Sequence, residues 1–173
     1  MLTTIILSAL YFFLPAYCAN MTPVLIRWLP FLNFPIHKKL LGPNKTWRGL
    51  IFGTVIGGLI FLLQQQLHAT PFFSSIALIN YPDFPFWFGF LQGFGALFGD
   101  SIKSYYKRKQ KIMPGKSWFP WDQLDFVFGA IIMGGIFYFP PAETVLVLLI
   151  LSPILHIIIN YLGYLLKIKK NKF

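Results

Sequence analysis

Apolar runs of membrane-spanning length dominate this chain of 173 residues and restrict what it can fold into. A helix needs about 20 mostly apolar residues to cross the hydrocarbon core of a bilayer. Five runs approach that length, and we expect a span in each: Leu2–Asn20, Leu50–Leu67, Phe86–Tyr105, Leu124–Phe139 and Thr144–Leu166. The first could continue past Pro23 towards Trp28, and the fourth is short. The sequence predicts an all-α integral membrane protein with about five transmembrane helices, in a single domain covering residues 1–173.

Composition supports the membrane class independently of the runs. The chain is 56% hydrophobic and only 12% charged, which leaves too little polar surface for a soluble domain of this length. A cleaved signal peptide is an alternative for the first run, because "ALYFFLPAYCAN" has some likeness to a cleavage region. The first basic residue is Arg27, however, so the positive segment that opens a signal peptide is missing.

The basic residues predict the orientation of the spans. All fifteen Lys and Arg residues lie at the end of the first, third or fifth run or after it, and the segments 68–85 and 140–143 contain none. The clusters hold Arg27, Lys38, Lys39, Lys45 and Arg48; Lys103, Lys107, Arg108, Lys109, Lys111 and Lys116; and Lys167, Lys169, Lys170 and Lys172. By the positive-inside rule the N-terminus lies outside and the C-terminus is cytoplasmic, in the plasma membrane. The net charge of +10 is therefore a topology signal and does not indicate nucleic acid as a partner.

Glycine-rich patterns recur in three of the runs: "GTVIGG", "GFLQGFGALFG" and "GAIIMGG". Small residues at such spacings allow membrane helices to approach closely. The pattern predicts tight helix packing, either within the chain or in a homodimer.

A polar stripe ends the third run. Its five members are Asp100, Lys103, Ser104, Lys107 and Arg108. Their spacing places all of them on one helical face, and the opposite face carries Ile102, Tyr105 and Tyr106. One interpretation is an ordinary cytoplasmic helix end in which Asp100 pairs with Lys103 or Ser104. A carboxylate at membrane depth is costly, however, and marks a functional site by default.

Two further carboxylates begin the fourth run. Asp122 and Asp125 share a helical face, after a turn at Pro114 and Gly115. Acidic residues at a helix start could serve only as caps. Three carboxylates beside clustered Lys and Arg instead suit Mg²⁺ together with substrate phosphates.

The first basic loop adds possible phosphate ligands. It contains "LGPNKTWRG", in which Lys45, Thr46 and Arg48 are candidates for substrate binding. The alternative is a basic flank required only by topology. The segment lacks the spacing of a P-loop.

These motifs together resemble the CDP-archaeol synthase family, which is related to the phosphatidate cytidylyltransferases. The likeness rests on "NKTWRG", "GD", "KS", "KR", "PG" and "DQLDF" in that order, and it covers most of the chain. It implies Mg²⁺-dependent transfer of CMP from CTP to a lipid phosphate, an unsaturated ether-linked archaetidic acid in the archaeal enzymes. The sequence lacks the Lys-Asp pair, the Gly-His-Gly-Gly run and the Asp-Arg pair of the phosphatidate enzymes, which favours the archaeal branch.

The resemblance assigns roles to individual residues. Asp100 and Asp122 are the expected metal ligands, and Asp125 matches the second aspartate of the motif. Ser104, Lys107 and Arg108 are expected to contact phosphates. We assign the catalytic role to Asp100, Lys107, Arg108, Asp122 and Asp125, and substrate binding to Lys45, Thr46, Arg48, Lys103, Ser104, Pro114 and Gly115.

Other functions remain open at this point. A phosphatidate enzyme would act on ester lipids. A transporter would use His156 and Asn160, one turn apart in the fifth run, in a polar path with Asp100; an interhelical hydrogen bond is the simpler use of that pair. A non-catalytic scaffold would bind anionic lipid through its basic loops, which leaves the three aspartates without a role.

Overall fold

The computed structural model describes residues 2–114 and 116–167. Gly115, Lys169, Lys170 and Lys172 therefore lie outside the described residues. The helices are α1 (Leu2–Phe12), α2 (Leu14–Leu25), α3 (Lys38–Leu41), α4 (Trp47–Leu67), α5 (Pro71–Ser75), α6 (Phe88–Lys109), α7 (Trp121–Gly134) and α8 (Ala142–Leu165). Over these two ranges the only extended pairing is an isolated bridge between Pro35 and Thr46. The all-helical prediction is confirmed.

The first apolar run is broken rather than straight. α1 and α2 meet at Phe13 with a bend of 50°. Pro15 occupies the first turn of α2, a position where its missing N–H has no helical partner to lose. The single span predicted over Leu2–Asn20 is therefore two helices, and the second of them continues past Pro23 as far as Leu25.

Length and hydropathy support fewer spans than the sequence predicts. Among the described helices, α4 and α8 are long and apolar enough to cross a membrane, and the bent pair α1–α2 is a third candidate. The fourth span was wrong at its end, because α7 stops at Gly134 and turns, well before Phe139. Its 14 residues give a helix only about 21 Å long, which is shorter than the hydrocarbon core.

Glycines bring the central helices into backbone contact. α6 packs against α2, α4 and α7, while α8 packs against α1 and α7. A Cβ atom added to Gly57 in α4 would meet the backbone of Gly89 and Gly93 in α6. A Cβ atom on Gly129 in α7 would likewise meet Gly95 and Gly99. The predicted close packing within the chain is confirmed, and it sets α6 beside α7 where both carry carboxylates.

Aromatic side chains fill the core, and aliphatic ones cover the outside. Phe13, Phe61, Phe88 and Phe126 are fully buried, with Tyr81 from the loop before α6. Exposed Leu, Ile and Phe side chains cover the outer faces of α4, α7 and α8. In water this surface would be unfavourable, but it matches the hydrocarbon of a bilayer.

Candidate active site

The main cavity lies where α2, α6, α7 and α8 surround the loop that leads into α4. Its volume is about 670 Å³, within the range of roughly 300–1,000 Å³ typical of small-molecule sites. Eight of the predicted site residues line it: Lys45, Thr46, Arg48, Asp100, Lys103, Lys107, Asp122 and Asp125. The structure thus collects residues that are up to 80 positions apart in sequence around one space.

The centre of this site is the ammonium group of Lys103. It lies 2.9 Å from Asp100 Oδ1, 3.0 Å from Asp122 Oδ1 and 2.7 Å from Asp125 Oδ2. Asp100 and Lys103 stand on α6, one turn apart, whereas Asp122 and Asp125 stand on the first turns of α7. The two helix faces predicted from residue spacing therefore point at each other.

Two further lysines complete the charge pairing. Lys45 from the first basic loop donates to Asp100 Oδ2. Lys107 lies 3.0 Å from both oxygens of Asp122 and donates to the backbone carbonyl of Lys116 at 2.5 Å. Three carboxylates thus face three ammonium groups in this cluster.

Asp122 lies ahead of the predicted fourth span and is held as an anion. Partial burial raises the pKa of its carboxyl, but the ammonium groups of Lys103 and Lys107 and the backbone N–H of Trp118 outweigh that effect. The net pKa lies below its usual value. Asp122 accepts from Trp118, which precedes α7, so capping the helix does not explain this side chain.

Thr46 and Arg48 have local structural contacts. The Thr46 hydroxyl caps α4 by accepting from the backbone N–H of Gly49 at 3.2 Å. Arg48 is buried, and its guanidinium donates to the carbonyl of Leu29. Both residues line the main cavity, yet these bonds already explain why the loop needs them.

The remaining predicted residues line a smaller neighbouring cavity, the side cavity, of about 120 Å³. Ser104, Arg108 and Pro114 are among its lining residues, and Ser104 donates to the carbonyl of Asp100 at 2.9 Å. Arg108 lies close to Gly42, the positive-φ residue that ends α3. Lys45, Lys103 and Lys107 line both cavities, so they separate the two spaces.

Sequence reasoning missed several lining residues of the main cavity. They are Asn20, Arg27, Asn33 and Gln123. His156 and Asn160, connected with Asp100 above only in the transporter alternative, line the cavity as well. Asn160 Nδ2 lies 3.2 Å from His156 Nε2, so this pair is hydrogen-bonded along α8. The available signal for Asn20 is a polar side chain at the end of an apolar run, which a span boundary explains equally well.

The three carboxylates have the chemistry that a hard divalent cation requires, but their oxygens are too far apart to bind one as they stand. Three carboxylates converge on one cation, the Lys103 ammonium, and carboxylate oxygens are the ligands that Mg²⁺ takes in proteins. Oxygens bound to Mg²⁺ lie about 2.0–2.1 Å away, closer than these oxygens lie to the nitrogen. Accordingly, no three His, Cys, Asp or Glu side chains within the described ranges are already arranged to hold a metal ion.

Comparison with known proteins assigns the family. The CarS-like family model, described as CDP-archaeol synthase, matches residues 2–173. The chain belongs to the CDP-archaeol synthase family. It is 34% identical to the CDP-archaeol synthase of Pyrococcus furiosus over 95% of this chain and 96% of the relative. With the CDP-archaeol synthase of Methanocaldococcus jannaschii it shares 32% identity, again over 95% and 96%.

A solved structure agrees with this family assignment. It is an intramembrane enzyme for archaeal membrane lipid biosynthesis, with a TM-score of 0.69 and 25% identity over 88% of this chain and 92% of that one. With the apolar helices described above, it supports a membrane-embedded protein. The resemblance seen in the sequence is confirmed, and neither the phosphatidate enzyme nor the transporter or scaffold is favoured.

Proposed function

We propose that this protein transfers CMP from CTP to an archaeal ether-lipid phosphate, giving a CDP-lipid and pyrophosphate. Membership of the CDP-archaeol synthase family supports the substrates and the reaction class. The observation that carries the proposal is the single cavity in which three carboxylates and three lysines meet. That inventory serves a reaction between two phosphate groups, because such a reaction requires positioning and charge stabilisation more than covalent chemistry.

The chemical step needs no general base. An oxygen of the lipid phosphate attacks the α-phosphorus of CTP, and the bond from that phosphorus to the bridging oxygen of the β-phosphate breaks. Pyrophosphate leaves with the bonding electrons. A phosphate monoester has a second pKa of about 6 and is already largely a dianion near neutral pH, so no proton has to be removed from the nucleophile.

The carboxylates hold the cation, and the basic residues hold the phosphates. We assign Asp100 and Asp122 as the ligands of Mg²⁺, with Asp125 beside them on α7. When bound, Mg²⁺ would neutralise charge on the nucleotide phosphates. Lys45 and Lys107 line both cavities, which supports a role for them in binding phosphate oxygens.

The side cavity suits the part of the triphosphate that leaves. Arg108 and Ser104 line it together with Pro114, next to the backbone of Gly42 and Pro43. One guanidinium group can bind two phosphate oxygens at once, which suits a pyrophosphate. We therefore assign Arg108 and Ser104 to the leaving group, and Pro114 to closing that cavity.

The lipid would reach the site through the side of the helix bundle. α2 and α8 both line the main cavity. The hydroxyls of Tyr17 on α2 and Ser152 on α8 form a hydrogen bond of 2.7 Å, but within the described residues the backbones of the two helices do not pack together. We propose that the lipid phosphate enters between them from the cytoplasmic leaflet and keeps its chains in the bilayer. Asn20 on α2 and Asn160 on α8 face this route from opposite sides.

The topology of the whole chain is part of the proposal. We propose five passes through the plasma membrane in one domain, with the start of α1 outside and both basic loops, and hence the active site, on the cytoplasmic side. The distribution of Lys and Arg supports this orientation. A homodimer gains no support from the glycines that pack inside the chain; cross-linking in native membranes would test it.

A panel of lipid acceptors tests the proposed function. Purified protein with CTP and Mg²⁺ is offered an unsaturated ether-lipid phosphate or the corresponding ester-linked phosphatidic acid. We expect CDP-lipid from the ether lipid and less from the ester, and no product when chelator removes the metal. Faster turnover of the ester lipid would contradict the assigned substrate, and product formed in chelator would contradict the metal assignment.

A further inference from the structure

Lys103 binds all three carboxylates of the site at once. Its ammonium group donates a hydrogen bond to Asp100 Oδ1 at 2.9 Å and lies at ion-pair distance from Asp122, 3.0 Å, and Asp125, 2.7 Å. The side chain of Lys103 is only 13% exposed. The position where three carboxylates converge is therefore already filled by a cation that the chain itself supplies.

Lys103 and a metal ion cannot use these oxygens together. A cation bound by Asp100 and Asp122 would need their oxygens at about 2.0–2.1 Å, while the nitrogen keeps them at 2.9–3.0 Å. Two cations in one carboxylate cluster would also repel each other strongly in this partly buried setting. Binding of one requires the departure of the other.

We infer that Lys103 is an internal competitor of the catalytic metal, occupying its position until the nucleotide arrives. This inference rests on the proposed function, because it takes Asp100 and Asp122 as metal ligands. In the nucleotide-free protein the ammonium keeps the carboxylates neutralised and lowers the affinity for free divalent cations. Metal therefore enters together with the nucleoside triphosphate.

The structure gives Lys103 a place to go. Its side chain lines the side cavity as well as the main one and has several rotatable bonds, so the ammonium has a second space to occupy. A divalent cation bound to a nucleoside triphosphate leaves a net negative charge on the complex. Phosphate oxygens then replace the carboxylates as acceptors for Lys103, and the metal replaces its ammonium group beside the carboxylates.

Binding of Mn²⁺ alone, without nucleotide, tests this role apart from activity. Free Mn²⁺ is measured by electron paramagnetic resonance during titration of the detergent-purified full chain. We expect K103M to bind Mn²⁺ at least about tenfold more tightly than the unaltered protein, because a unit charge has left the site. K103R, which keeps the charge, should stay close to the unaltered protein. K109M removes an exposed lysine from the same helix and should change nothing.

The same titration with CTP separates two failures. CTP should reduce the difference between K103M and the unaltered protein, because the nucleotide itself brings the metal. The proposed metal site is wrong if, in the presence of CTP, D100N binds as much Mn²⁺ as the unaltered protein. The result is different if D100N does bind less Mn²⁺ than the unaltered protein, but K103M without CTP binds Mn²⁺ no more tightly than the unaltered protein. The metal site is then supported, and the competitor role of Lys103 is overturned.

Thermal unfolding of K103M, with and without Mn²⁺, provides a second test if this variant is unstable. In K103M, three carboxylates face only the two ammonium groups of Lys45 and Lys107. This imbalance should lower the unfolding midpoint in chelator, and Mn²⁺ should raise the midpoint of K103M by more than that of the unaltered protein. A loss of stability that Mn²⁺ does not reverse would make Lys103 a structural counter-ion only, which contradicts the inference.

Discussion

Asp125 on α7 and Lys103 on α6 form an ion pair of 2.7 Å across the tightest helix contact of the site. The contact is tight because Gly95, Gly99 and Gly129 have no side chains to separate the two backbones. The carboxylates of α7 reach the cations of α6 only at this spacing. The charged cluster therefore depends on the close helix packing that these glycines allow.

Adding a side chain at the contact between α6 and α7 should disturb the site, although the substituted glycine is not itself a site residue. A methyl group at Gly129 would meet the Gly95 carbonyl and the Gly99 backbone, so Gly129→Ala must push α7 away from α6. We expect CMP transfer to fall by at least tenfold and stability to fall by about 1–3 kcal/mol. Gly134→Ala on the same helix is the control, because its nearest neighbours are side-chain atoms at 3.4 Å or beyond. Equal effects of the two variants on activity and thermal unfolding would contradict this reasoning.

Asp100→Asn should remove catalysis while leaving the fold intact. The amide keeps the size of the side chain but loses the charge that binds the cation, and we expect CMP transfer to fall by at least about 100-fold. Size-exclusion chromatography and circular dichroism check the fold. Asp83→Asn, in the exposed turn after Asn80, is the matched control and should keep full activity. Full activity in Asp100→Asn would remove this residue from the metal site.

Lys107→Met should affect nucleotide binding and turnover together. Lys107 orients Asp122 and reaches both cavities, so its loss removes a phosphate ligand and leaves Asp122 with one cation fewer. We expect KM for CTP to rise and kcat to fall, with a combined loss of about 10- to 100-fold in kcat/KM. Lys107→Arg should recover part of it, whereas Lys109→Met should behave as the unaltered protein. A loss confined to thermal stability, with kinetics unchanged, would show that Lys107 acts only in folding.

Accessibility of engineered cysteines tests the orientation. Cys18 is the only cysteine, so Cys18→Ser provides a background for Lys39→Cys and Ser74→Cys, two exposed positions in different loops. In intact cells, a membrane-impermeant maleimide should label Ser74→Cys and spare Lys39→Cys, because the basic loop is cytoplasmic. Lysis should expose both. The reverse labelling pattern would show that the chain has the opposite orientation in the membrane.

The charged part of the site could be predicted because helical spacing is a local property. Asp100, Lys103 and Lys107 share a face in any helix, and so do Asp122 and Asp125. Their outward-facing neighbours Ile102, Tyr105 and Tyr106 are indeed exposed, as the pattern indicates. The stripe therefore turns towards the helix bundle, whichever way the helices are arranged.

Features that depend on tertiary contacts could not be obtained in this way. Arg48 is a candidate phosphate ligand by sequence, but its buried guanidinium binds the Leu29 carbonyl, 19 residues earlier in the chain. The break at Phe13 was indicated by Pro15, yet a proline inside an apolar run is equally compatible with a continuous helix, as Pro153 in α8 shows. His156 and Asn160 belong to the cavity only because α8 packs beside α7.

The position of the label in CTP tests the central claim most directly. Purified protein is incubated with an unsaturated ether-lipid phosphate, Mg²⁺ and CTP labelled with ³²P at either the α- or the γ-phosphate, beside Asp100→Asn. CMP transfer predicts that α-label enters the lipid fraction and γ-label is released as pyrophosphate, with neither event in Asp100→Asn. Label from the γ-phosphate in the lipid, or no label in lipid from either form, would contradict it.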